Sequence, residues 1–137
     1  MDEVCGFYRQ HFESACVKRE EALIGAERLA GRLVEEKPRA VRDHWQKCSL
    51  ELLRGVILHL SYEAYRRGDE RVTLPGLISF LGAVPIESSW RQMMLFPHDD
   101  DVIRDIVVDT AKWMLEGPRQ EIGSILATTR SYLFRAV

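Results

Sequence analysis

Between about Val41 and Arg67 the chain carries a segment with one stable way to fold: a long helix packed on more than one side. Leu50, Leu53, Ile57, Leu60 and Ala64 recur at spacings of three and four, the period of one helix face. Leu52 and Val56 widen that stripe, and Leu58, Tyr62 and Tyr65 begin a second. A helix apolar around so much of its circumference must be covered by neighbours, so it is expected at the centre. Gly68-Asp69 ends it, because glycine enters the left-handed conformation that closes many helices.

The remaining segments also follow the helical period. Glu3 to Arg19 places Val4, Phe7, Tyr8, Phe12 and Ala15 on one side. Glu20 to Glu36 places Leu23, Ala26, Leu29, Ala30 and Leu33 on one face and stops near Pro38, although Gly25 and Gly31 weaken it. Thr73 reads as the N-cap of a short helix, Leu74 to Leu81, with Pro75 in its first turn; Gly82 and Pro85 break it. Ser88 or Ser89 is expected to cap another, carrying Trp90, Met93 and Met94 and stopped by Pro97. Asp99, Asp100 and Asp101 open the next, with Val102, Ile103, Ile106, Val107, Thr110 and Met114 as its buried face. After the Gly117-Pro118 turn, a last helix runs to about Ala136 and buries Ile122, Ile125, Leu126, Thr129 and Leu133. With no repeat, linker or strand alternation, the expected architecture is all-α: a single compact bundle of about six or seven helices.

At 137 residues, such a bundle buries roughly two-thirds of its unfolded surface and needs no staples. Lys and Arg number 19 against 21 Asp and Glu, a net charge of −2 that argues against a generic nucleic-acid-coating protein. Cys5, Cys16 and Cys48 are an odd number without metal-like spacing and read as cytosolic thiols, most simply as small buried hydrophobes. No apolar run approaches the roughly 20 residues of a membrane helix. The start, MDEVCGFYRQ, lacks a signal peptide's basic and apolar regions. The chain itself is expected to be cytoplasmic.

Chemistry is sparse. His11, His44, His59 and His98 fall in four segments and form no His-x-x-His or Glu-x-x-His pair, so no metal site is expected. His59, after Val56-Ile57-Leu58, is expected to make a buried or half-buried hydrogen bond. The Asp99–Asp101 run lacks the alternating ligands and distal glutamate of a calcium loop, which leaves helix capping as the simpler account. No nucleophile motif occurs, and no G-x-x-x-x-G-K-[ST] or G-x-G-x-x-G, so neither catalytic residues nor a cofactor are expected. Arg66, Arg67 and Arg71 flank the turn after the long helix and are candidates for touching phosphate or an acidic partner. The competing account has Arg66 and Arg67 complementing the helix dipole, neutralised by Asp69 and Glu70. Trp90 with Arg91 is a candidate partner hot spot if exposed, and burial of Trp90 in the core is the alternative.

Three stretches carry a family resemblance. Asp43-His44-Trp45-Gln46-Lys47, running on through Leu53-x-Gly55-x-Ile57-Leu58-His59, resembles the opening of the all-α domain of TraG-like type IV coupling proteins. Leu74-Pro75-Gly76-Leu77-Ile78-Ser79-Phe80-Leu81 resembles the short helix that follows it. Pro97-His98 through Ala111-x-x-Met114-Leu115, then Glu121 and Ser124-Ile125-Leu126-Ala127-Thr128, resembles the closing helices, departing at Ile125 and Ala127. The matches span roughly residues 26 to 133, in order. This divides the chain into an N-terminal helical extension, 1–25, without a recognised counterpart, and an all-α domain, 26–137.

The resemblance implies a non-catalytic domain inserted in a hexameric ATPase anchored in the bacterial inner membrane. That parent delivers relaxase-bound DNA or effector proteins to a secretion channel. The implied partners are relaxase or other relaxosome proteins, effectors, DNA through weak contacts, and the ATPase domain of the parent; the isolated piece would be monomeric. The alternative from another class is a free-standing helical regulator, or a small helical enzyme with a ligand pocket in the bundle.

Overall fold

In the computed structural model, Asp43 opens the long helix with a reciprocal cap. Its carboxylate accepts from the Gln46 backbone N–H at 2.8 Å, while the Asp43 N–H donates to Gln46 Oε1 at 3.0 Å. The structure describes residues 19–34, 43–68 and 72–137. Six helices follow in order: α1 (Arg19–Val34), α2 (His44–Arg66), α3 (Leu74–Leu81), α4 (Glu87–Leu95), α5 (Asp101–Glu116) and α6 (Arg119–Arg135). No strand occurs among the described residues, and the expected Glu3–Arg19 helix lies outside them apart from its last residue.

Helix α2 is the central element that its apolar circumference requires. Leu52, Leu53, Val56, Ile57 and Leu58 are all fully buried, and α1, α5 and α6 pack around it. Helix α4 lies on α5 and α3 on α6, so the late elements close one side of the bundle. Gly68 closes the helix with φ 74°, a backbone conformation that a Cβ would strain.

Helix α1 keeps Ala26 and Ala30 of its expected face but centres its burial on a different row. Its buried row is Ala22, Ala26, Ala30 and Val34, while Leu23, Leu29 and Leu33 are only partly buried at its flanks. An i, i+4 row of small side chains lets two backbones approach, with larger residues interlocking on either side. The helical period finds Ala26 and Ala30; packing adds Ala22 and Val34 and leaves the leucines at the flanks.

Two further expectations need correction. Neither Ser88 nor Ser89 caps α4, which begins at Glu87 after Ile86. Both serines lie in its first turn, Ser88 donating to the Pro85 carbonyl and the buried Ser89 to the Phe80 carbonyl, each at 2.7 Å. In α5, Val102 is exposed and Ile106 only partly buried while Ala111 takes a buried place, and Ile122 of α6 is likewise only partly buried.

Asp100 is the N-cap of α5 and is almost wholly buried. Its Oδ1 accepts from the N–H groups of Val102 and Ile103 at 2.9 and 3.0 Å, and its Oδ2 accepts from Arg19 Nε at 2.6 Å. One carboxylate thus caps α5 and ties α1 to it. Asp100→Ala is expected to cost about 1–2 kcal/mol through the cap alone, read by urea denaturation. Asp100→Asn keeps an N-cap acceptor and should lose less; equal losses would show that the charge, not the cap, dominates.

Candidate partner-binding surface

The arginines at the end of α2 are engaged within the fold. Arg66 Nη1 donates to the Pro97 carbonyl at 3.1 Å and to Asp99 Oδ1 at 3.0 Å, and its guanidinium lies 6.0 Å from the Phe96 ring centre. Arg67 Nη1 bonds Glu63 Oε1 at 3.1 Å, one turn back. Both remain partly exposed, so pairing lowers their availability without hiding them. Arg71, with Asp69 and Glu70, lies outside the described residues.

Trp90 is 1% exposed and meets Phe80 edge-on at 6.4 Å. It is therefore a core residue and cannot serve as an exposed hot spot, which corrects that candidacy. Arg91, the next residue, is exposed. Neighbours in sequence are separated here because a helix turns adjacent side chains about 100° apart.

The sequence does not reveal how its histidines meet. His59 and His98, on separate segments, bring Nδ1 and Nε2 within 3.0 Å inside a cluster with Phe80, Phe96 and Tyr62. The hydrogen bond expected of His59 is thus present, and its partner is another histidine. His44 at the start of α2 lies 3.2 Å from Glu121 of α6, with Cys48 one turn along. Burial, then Glu51 and Glu121, raises the Cys48 thiol pKa, which favours the protonated thiol over the nucleophilic thiolate. Among the described residues no group of three or more His, Cys, Asp or Glu side chains is arranged to hold a metal.

Between α1 and α2 runs an open groove of about 440 Å³, lined by Glu27, Ala30, Lys47, Leu50, Glu51 and Arg54. Arg54 bridges it to Glu27 at 3.3 Å. Its lining combines apolar Ala30 and Leu50 with side chains of both charges, a mixture suited to contacts between polypeptides.

No family model matches the chain, and no solved structure matches it. Two curated proteins do, both called conjugal transfer protein TraG and both from Escherichia coli. One is 37% and the other 36% identical over 108 residues, which is 77% of this chain. The chain is TraG-like. It spans only 17% of the length of those TraG proteins, so the likeness is to one segment of a much longer polypeptide. No described helix in this TraG-like segment is long and apolar enough to cross a membrane.

Proposed function

We propose that this chain is the cargo-docking domain of a conjugation coupling protein. It receives relaxosome or effector proteins at the cytoplasmic entrance of a type IV secretion channel, while other parts of the parent hydrolyse ATP. The carrying observation is the TraG likeness across most of the chain, confined to a small part of TraG. Three further features support it: the helical bundle, the absence of a phosphate-binding motif in the sequence, and the mixed-charge surface. With the surface arginines Arg66 and Arg67 already paired to carboxylates, protein cargo is favoured over nucleic acid.

The test is capture of relaxase and accessory proteins from the same transfer system, alongside fluorescence anisotropy with single- and double-stranded DNA. Protein capture is expected, with DNA binding weak and steeply salt-dependent. Tight, salt-resistant, sequence-specific DNA binding without protein capture would overturn the reading. Arg67→Glu with Arg91→Glu should reduce capture while leaving the helical signal unchanged. Unchanged capture would remove Arg67 and Arg91 from the docking surface.

A further inference from the structure

The Phe96–Asp100 connection between α4 and α5 is pinned by two other helices. From α2, His59 Nδ1 lies 3.0 Å from His98 Nε2, and Arg66 holds the Pro97 carbonyl and Asp99. From α1, Arg19 holds Asp100. The two imidazoles are 0% and 3% exposed, and their rings meet edge to face at 5.2 Å. A single proton serves the bond between them. Neither outward nitrogen makes a well-formed hydrogen bond, with Glu63 Oε2 3.8 Å from His59 Nε2 and the Phe96 carbonyl beside the His98 ring. Protonating both rings would set N–H against N–H and place two cations side by side in the buried interior.

We propose that this connection is an acid-released latch: protonation of the His59–His98 pair frees Phe96–Asp100 from α2 while the rest of the bundle stays folded. The surrounding charges do not cancel the effect. From α2, Glu63 Oε2 stands 3.8 Å from His59 Nε2, but that carboxylate is already held by Arg67 and by Gln92 of α4. Arg66 on α2 and Arg104 on α5 oppose added positive charge, whereas Asp99, Asp100 and Asp101 favour it. Asp99 is paired with Arg66, Asp100 with Arg19 and Asp101 with Arg104. Helix α3 contributes Phe80, which is apolar.

Burial first, then the neighbouring His98, lowers the His59 pKa to about 3. Burial and then Arg104 lower that of His98 to about 4, with Asp99 and the Phe96 carbonyl opposing. Released rings return to the ordinary value near 6.5. Groups held neutral when latched take up protons on release, so falling pH favours opening from about 6.5 downward. The gain levels off near pH 4 for His98 and pH 3 for His59. From about pH 7 to about pH 5 each ring favours opening by about 23-fold, and the pair by about 500-fold.

Native-state hydrogen exchange on the 137-residue chain tests this. Protection of the Phe96, Val102 and Ile103 amides, corrected for the intrinsic pH dependence of exchange, should fall several-hundredfold between those pH values. It should respond little to low urea, while amides of Leu52–Ile57 stay more protected and strongly urea-dependent. His59→Leu with His98→Leu should abolish the pH effect where that variant folds. Loop and core amides with the same protection and urea dependence would make the opening global and overturn the latch. Loop protection independent of pH in the unaltered chain would do so too.

Discussion

Trp90→Ala is expected to lower folding stability by about 3–5 kcal/mol. The indole is fully enclosed, with Phe80 at its edge and the equally buried Met93 on the same helix. A short helix such as α4 has too few turns to hold itself, so its place depends on what it buries. Against a typical total of about 5–15 kcal/mol, that loss leaves a sizeable unfolded population. Urea denaturation followed by circular dichroism measures it, and Trp90→Phe should recover most of the stability. A loss below about 1 kcal/mol would contradict burial of this side chain. Any accompanying loss of partner capture by Trp90→Ala should track its unfolded fraction, since the side chain offers no surface in the fold.

Gly55→Ala has the second large effect, and its sign depends on two opposing magnitudes. In an exposed helix interior the change gains about 1 kcal/mol from helix propensity. Here the new Cβ would stand 2.4 Å from Thr110 Oγ1, 2.7 Å from its Cβ and 2.8 Å from its Cγ2. Thr110 cannot easily yield: its β-branched side chain has few rotamers, and its hydroxyl donates to the Ile106 carbonyl at 2.8 Å. Separating α2 from α5 would loosen both, and overpacking costs about 1–3 kcal/mol or more. A net loss of about 1–3 kcal/mol is therefore expected for alanine, and a larger one for valine. Thr110→Ala removes two of the three blocking atoms and should rescue Gly55→Ala in part. Strict additivity in that double-mutant cycle would show that this contact does not decide the packing.

Much of the fold is legible because helix signals are local. The capping residues Thr73 and Asp100 act within three residues of themselves, and Gly68 and Pro97 stop helices through their own backbone geometry. The misplaced burial shares one cause, a partner surface that periodicity does not contain; the Ser88 or Ser89 cap failed because both serines fall inside the first turn of α4 and donate to the Pro85 and Phe80 carbonyls. Burial of Trp90 beside an exposed Arg91 is settled by packing rather than by their order in the chain, and the groove between α1 and α2 has no linear signature at all.

The sequence alone determined the helical class, the order of its elements, the central place of α2 and the lack of any recognisable nucleotide motif, since period, caps and breakers operate over one or two turns. Only the tertiary structure decided the exact buried row of α1, where alanines rather than leucines meet α2. It also decided that Gly55 is where α2 meets Thr110, that Asp100 joins two helices, and that His59 and His98 share a proton. Those contacts join residues tens of positions apart, and only the packing of the bundle brings them within reach.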